Sequence, residues 1–437
     1  MKIGKLQEKI LRKAKVFLDT KKINKKDLST IGVFYLCPFA ATRGNAKLLS
    51  FYNKFASLKV YFYSTIKDLL NFVKFDGFAT LDSSSSKNYK FVIVNWGTKK
   101  NFNYKGEYYD NHLNVSSSKC KNVLWYIIYL DKKLPKKTSK NVVLIYENKK
   151  LGFQHLKTIF KKFFFKMINL SFFSQKISHL SLLATYVYKD FDKYIHSAKK
   201  VLMPYEGQPF QNAIFQKISE RNKKIVTIGF VHSFPAGLPS NFIKRSGHPK
   251  KLIINSNSLK YSFIKFLGWS SSDLLKLPSA RFKKKSNNEM GNKVFLPYDF
   301  DKPKKIINSL NDLIDYKKLN FSNLEIRNHP SCSKSKKHLN LIKLINETIK
   351  NKTFKKKIRK NFSIFIGATG SIIEALERNL DVYHICENPV LESYSKKIWK
   401  HIDVKRLGQN LFNYKKVKNH KLIIFNNNEK IYKKYIY

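Results

Sequence analysis

The chain has 437 residues, more than one ordinary core accommodates, and its 43% hydrophobic and 14% aromatic content excludes a globally disordered protein. Its formal net charge of +56 points to an anionic partner, or to the Lys- and Asn-rich surface that an AT-rich genome writes on any protein. Only nine of the 85 basic residues are Arg, whose planar fork base readers favour, so the charge suits anionic lipid or a nucleotide substrate better than nucleic acid.

The first 30 residues read as a basic amphipathic helix and its exit, with no apolar run of signal-peptide length. No window approaches the ~18 uncharged apolar residues of a spanning helix, so the expected location is the cytoplasm or the cytoplasmic face of the inner membrane. Cys37, Cys120, Cys332 and Cys386 lie far apart without a C-x-x-C pair, which fits a reducing compartment. Thr30–Ala40, Lys59–Ser64, Lys90–Trp96 and Asn141–Glu147 read as strands, and Lys67–Val73 and Val123–Leu130 as helical segments. Leu156–Phe173 is basic and aromatic, either a core helix with a lysine stripe or a segment lying in a membrane interface.

From Lys200 the alternation sharpens into strand, turn and helix. Val201–Gln211, Lys224–Ser233 and Lys251–Trp269 each carry a strand exit, and Lys283–Lys293 is polar and without periodicity, a candidate linker. Beyond it come the strand Val294–Phe300, a helix near Ile306–Tyr316, the strand NLEIRNHP ending at Pro330, and a Lys-rich helix near Lys336–Thr348. Ser363–Ile385 then spells strand, glycine turn, helix from Ser371 and strand. This alternation predicts a parallel α/β architecture.

Four places carry candidate chemistry. Gly367, Ala368, Thr369, Gly370 and Ser371 form a small-residue turn that lets an anion approach backbone N–H groups at a helix start, with hydroxyls from Thr369 and Ser371. Ser371 and Glu374 also spell a capping box, which needs no ligand. Arg327 and His329 share one face of a strand and emerge at its carboxyl end, where open α/β sheets bind ligands. Glu206 leaves a strand beside Gly207, as a general base or as a dipole-favoured helix start. His232 stands at another strand exit, and Arg281 beside the linker. His329, Cys332 and His338 lack zinc-site spacing, His384 and Cys386 form an isolated pair, and no nucleophile elbow is present, so no metal or cofactor is expected.

The order of Glu206, His232, NSNSLKYSFIKFLGW, LPSARF, VFLPYDF, RNHP and GATGSIIEAL, over Val201–Arg406, resembles bacterial surface carbohydrate biosynthesis proteins with a GT-B glycosyltransferase fold. The His-Pro pair and the Ser/Thr-bearing glycine turn are also similar to those of bacterial sialyltransferases, Kdo transferases and CDP-glycerol glycerophosphotransferases. The resemblance implies two Rossmann-like domains facing each other across a cleft. Residues 1–285 would be the acceptor-side domain, 286–293 a linker and 294–437 the donor-binding domain. It implies that His329 contacts the nucleotide, Thr369 and Ser371 hold its phosphate, and Glu374 sits near the ribose or caps the helix. Gly367, Gly370, Arg281 and Arg327 would complete the donor site, and Glu206 and His232 the catalytic side. The sialyltransferase acidic triplet is here only Glu206-Gly207, preceded by Tyr205, and His232 is followed by Ser233 where the CDP-glycerol enzymes tend to carry Gly.

The implied activity is metal-independent transfer of a sugar from a CMP- or other nucleotide-activated donor to a hydroxyl of a surface polysaccharide or lipid-linked glycan. Alternatives are a CDP-glycerol-type polyol-phosphate transferase, a nucleotide-sugar epimerase, a non-catalytic nucleotide-sugar-binding relative, and a nucleic-acid-binding protein resting on charge alone.

Overall fold

The computed structural model describes residues 3–19, 77–82, 88–148, 179–279, 282, 290–317, 321, 324–352 and 361–425. The elements expected at Thr30–Ala40, Lys59–Ser64, Lys67–Val73 and Leu156–Phe173, together with Arg281, lie outside the described residues.

The chain opens with α1 (Ile3–Asp19), followed by β1 (Gly77–Asp82), β2 (Phe91–Gly97), the short hairpin β3 (Tyr109–Asp110) and β4 (Val115–Ser116), β5 (Val123–Tyr129) and β6 (Val142–Asn148). Then come α2 (His179–Ile195), β7 (Lys200–Pro204), α3 (Pro209–Arg221), β8 (Val226–Phe230), β9 (Lys251–Ile254), α4 (Asn257–Leu267) and β10 (Leu274–Lys276). The remaining elements are β11 (Lys293–Phe295), α5 (Pro303–Lys317), β12 (Glu325–Arg327), α6 (Lys336–Lys350), β13 (Phe362–Ile366), α7 (Ser371–Glu377), β14 (Asp381–Ile385), α8 (Pro389–Glu392), β15 (Ile402–Arg406) and β16 (Leu411–Lys416).

The first sheet runs β1-β6-β5-β2-β7-β8-β9-β10, parallel except for β1, which lies antiparallel to β6. After the edge strand β1 the chain enters the middle of the sheet at β2, steps outward through β5 and β6, then returns to the other side of β2 with β7. That reversal is a topological switch point, where neighbouring strand exits diverge and leave a crevice. The second sheet, β12-β11-β13-β14-β16-β15, repeats the device: β12 lies on one side of β11 and β13 on the other. Its last two strands close the edge antiparallel. The protein is thus a mixed α/β chain with two mainly parallel sheets.

Val123–Tyr129 corrects one expectation: it is a central strand, paired with β2 from Phe91–Val123 to Gly97–Tyr129 and buried at every position. A strand covered on both faces has no alternation to distinguish it from a buried helix. Its aromatic and β-branched content, VLWYIIY, fits the pleated surface better than a helix.

Alternation assigns the core. In β13, Phe365 joins a cluster that also holds Val92, Val201 and Phe234 of the first sheet and its loops, whereas Ile364 and Ile366 face a separate cluster with Val294 and Leu310. The two sheets therefore share continuous apolar packing. Helix α1 joins it: Gln7, Ile10, Leu11 and Ala14 are buried at helical spacing, while Lys5, Lys9, Arg12, Lys13 and Lys15 face outward. The Gln7 amide donates to Val390 O (3.1 Å) and Ser393 O (2.7 Å) and accepts from Ser395 Oγ (2.6 Å). The C-terminal segment returns to the first sheet, with Ser279 N donating to Ile424 O and Ile424 N to Asn255 O. No helix among the described residues is long and apolar enough to cross a membrane.

Candidate functional site

At the first switch point, β7 runs out through Tyr205 into Glu206 and Gly207. Gly207 has φ +66°, and a Cβ there would lie 1.9 Å from the Asn241 carbonyl oxygen, so only glycine fits. Asn241 Nδ2 donates to Glu206 O (2.6 Å), and the Arg245 guanidinium donates to Gly207 O, which fixes the turn. The two expected catalytic residues are neighbours: Glu206 Oε1 stands 3.4 Å from His232 Nε2, and Glu206 Oε2 accepts from Gln208 Nε2 (2.6 Å). His232 is buried, and its ring meets that of His112 edge-on at 4.3 Å between centroids.

His112 opens a set of residues that the sequence reading passed over. Its Nδ1 lies 3.2 Å from Asn95 Oδ1, the Asn95 amide nitrogen donates to Asp110 Oδ2, and Asp110 Oδ1 accepts from His112 N (2.7 Å) and Leu113 N (2.9 Å). Asp110 is fully buried. Burial pushes its carboxyl pKa upward, against the lowering effect of bonds from Leu113 N, Asn95 and His112 N. One signal was readable: Asn95 is a polar residue inside the apolar run FVIVNW, where only a committed partner makes it tolerable.

At the second switch point, β13 exits into the glycine turn beside β11. Gly367 takes φ +69°, and a Cβ there would sit 2.8 Å from Pro297 Cβ. Its N–H donates to Ile385 O (2.9 Å), and its carbonyl accepts from His384 Nε2 (2.7 Å). His384 Nδ1 lies 3.1 Å from Tyr414 Oη, which accepts from Tyr394 N (3.1 Å). Donor accounting orders the chain: Tyr394 N–H donates to Tyr414, Tyr414 O–H to His384 Nδ1, and His384 Nε2–H to Gly367. This needs a neutral imidazole, and burial pushes the His384 pKa down to about 4.

The expected capping box does not form. Helix α7 starts with Gly370 as its N-cap and no side-chain cap bond, and Thr369 Oγ1 accepts from Ser371 N (3.2 Å). Glu374 turns instead to Arg378 Nη2 at 2.8 Å, because a buried guanidinium one turn ahead is a stronger partner than a backbone N–H. The Thr369 and Ser371 side chains are half-buried at the turn.

Strand β12 ends at Arg327, one pair of residues short of the expected alternation. Arg327 and Glu325 do share a face, and they pair at 2.5 Å, with Lys293 Nζ also 2.9 Å from Glu325. His329 lies in the exit turn, half-buried, with its ring edge-on to Tyr298 at 5.3 Å. Burial, then the His338 charge, lowers its pKa. Pro297, just before Tyr298, packs under Gly367, and its carbonyl lies 2.9 Å from His338 Nε2. The β11 exit thus joins the His329 turn to the glycine turn.

The two sets of strand exits meet. A Cβ on Gly370 would stand 2.1 Å from Phe234 O, two residues past His232. Tyr394 Oη lies 2.7 Å from Pro235 O and 3.1 Å from Thr369 O, and Trp399 Nε1 donates to Gly237 O (2.7 Å). Glu206 with His232, and Thr369 with Ser371, therefore stand on loops held together. Among the described residues no group of three His, Cys, Asp or Glu side chains is placed to hold a metal ion.

No protein-family profile matches this sequence, and no curated protein matches it. Among solved structures, a glycosyltransferase from Rickettsia africae ESF-5 is 12% identical over 69% of this chain and 86% of its own, with TM-score 0.31. S. aureus MnaA with UDP is 10% identical over 67% and 78%, with TM-score 0.34. A GtfA/B complex bound to UDP and GlcNAc is 12% identical over 49% and 48%, with TM-score 0.20. Likeness at these scores lends no weight to a function, which rests on the chain's own residues.

Proposed function

We propose that the chain is a nucleotide-sugar glycosyltransferase of the GT-B kind, in which the second sheet holds the donor and the first presents the acceptor. The observation that carries the reading is the contact of the His232–Gly237 loop with the glycine turn, which sets two switch-point exits against each other. On the donor side, the small residues Gly367 and Gly370 admit a phosphate close to the backbone, and Thr369 and Ser371 offer hydroxyls. His329 reaches the nucleotide, Glu374 borders the ribose, and Arg327, exchanging its Glu325 partner for phosphate, supplies positive charge. Arg281, beside the linker in sequence, adds a second cation. These groups offset the charge that grows on the leaving phosphate, so no metal ion is required. On the acceptor side, Glu206 and His232 bind and orient the attacking hydroxyl of a surface polysaccharide or lipid-linked glycan. The outward basic face of α1 supports work at an anionic membrane surface.

The test is a thermal-shift panel of CMP, CDP, UDP, GDP, their sugars and CDP-glycerol, on the parent chain and on His329→Ala. A cognate donor at 100 times its Kd stabilises by about 2.7 kcal/mol. The expected result is one nucleotide class that shifts the parent and shifts the variant less. CDP-glycerol alone as the ligand would select the polyol-phosphate reading, and no shift with any nucleotide would overturn both.

A further inference from the structure

The start of α1 and the β15–β16 edge enclose a cleft of about 710 Å³, within the size range of small-ligand sites and lined by none of the residues assigned above to donor or acceptor. Strand register builds one wall. Val404 and Arg406 share a face of β15, and Arg406 stands opposite Phe412 on β16. Helix α1 builds the other. It lies so close to the chain at 393–397 that a Cβ on Gly4 would sit 2.8 Å from Lys397 Cβ. Ile3, Val404 and Phe412 give the cleft an apolar lining.

Four cations also line it, Lys5, Lys396, Lys397 and Arg406, and no carboxylate does. Lys396 pairs with Asp403 (2.7 Å) and Lys397 with Glu8 (3.3 Å), but water reaches both pairs, so each contributes little. Lys5 is exposed and has no carboxylate partner among the described residues. Arg406 donates from Nε to Gly408 O (2.9 Å) and from Nη2 to Gln409 O (3.0 Å). Those carbonyls hold the guanidinium in place without neutralising it. The hydroxyls that line the cleft are already committed: Ser393 Oγ donates to Pro389 O (2.5 Å), Ser395 Oγ to Gln7 Oε1 (2.6 Å) and Tyr394 Oη to Pro235 O (2.7 Å).

We propose that this cleft binds an anionic membrane lipid, with its phosphate held by Lys5 and Arg406 and the start of its chains against Ile3, Val404 and Phe412. The combination of linings selects the class. A free phosphate would leave the apolar lining in water, a neutral lipid would leave the cations without a counter-ion, and a sugar or a base would find no hydroxyl donor. The site is a specific contact, distinct from the diffuse attraction of the basic face of α1, and it does not depend on the transferase reading.

Thermal shift of the full chain with monomeric dihexanoyl-phosphatidylglycerol tests it, with dihexanoyl-phosphatidylcholine and glycerol phosphate as controls for chain and charge. Phosphatidylglycerol alone should stabilise the parent. Lys5→Glu and Arg406→Gln should each need roughly fivefold or more of it for the same shift, whereas Lys136→Glu, at an exposed position outside the cleft, should match the parent. An equal shift with glycerol phosphate would reduce the cleft to an anion site, and an equal shift with phosphatidylcholine to an apolar one. A loss in Lys136→Glu as large as in Lys5→Glu would assign the binding to overall charge. Each of these results overturns the proposal, as does no shift at all. Should Arg406→Gln fail to fold, Lys5→Glu carries the test, since that side chain has no ion pair to lose. The nucleotide panel is read separately: a lipid shift without a nucleotide shift removes the transferase reading and leaves this site, and the converse removes only the site.

Discussion

His384 shows how a single buried imidazole sets a turn. It must be neutral to accept from Tyr414 while donating to Gly367, and burial pushes its pKa from 6.5 down to about 4. A depressed histidine imposes no penalty above its unfolded pKa; as pH falls from about 6.5 to 4 the unfolded chain takes up the proton first and stability drops. The full drop is about 3 kcal/mol. Glu392 runs the other way, since burial and the Glu387 charge raise its carboxyl to about 8, so its contribution is lost as pH rises toward that value. The informative quantity is therefore a difference. Urea melts at pH 7 and pH 4 should show that on acidification His384→Gln loses less stability, or gains more, than the parent, and an equal change in both would remove His384 as the cause.

At the level of elements, helix α1 illustrates how an amphipathic pattern finds its use. Its apolar stripe was legible, and so was its basic face, but not what the stripe covers. Gln7 settles that with three bonds to residues 390–395. Gln7→Ala strands two buried carbonyl oxygens and a hydroxyl, and should cost roughly 2–4 kcal/mol in chemical denaturation. Strands β2, β6, β7, β8, β9, β13 and β14 were readable because each is a short apolar run ended by a turn residue. Strand β5 was not, since full burial erases the period that separates strand from helix. The site divides in the same way. Glu206, His232, His329 and the glycine turn sit at strand exits that local pattern marks. Asn95, Asp110 and His112 come together only because the hairpin of β3 and β4 folds back beside the β2 exit, a placement that no local period encodes. The capping box failed for a related reason: Arg378 competes for Glu374.

For the whole molecule, the decisive spacing is between Gly370 and Phe234 O. The backbone there is in an ordinary helical region, so the need for glycine is one of room rather than conformation. Gly370→Ala must push the His232–Gly237 loop away from the turn, costing roughly 1–3 kcal/mol. Because that displacement also moves His232 relative to Thr369, nucleotide-dependent transfer should fall by more than the change in melting temperature accounts for. Unchanged transfer in a destabilised Gly370→Ala protein would mean that the spacing serves packing alone.

The bond from Gln7 to Ser393 spans 386 residues of sequence. During synthesis at ~5–20 residues per second, α1 leaves the ribosome ~20–80 seconds before its binding partner does. Helix α4, one of its neighbours, emerges partway through that interval, but α8 emerges only at its end, so the cover over Ile10, Leu11 and Ala14 is completed late. Until then the solvated face of Lys5, Lys9, Arg12, Lys13 and Lys15 is the part of α1 already in its final environment, so the helix reaches its finished surroundings one face at a time.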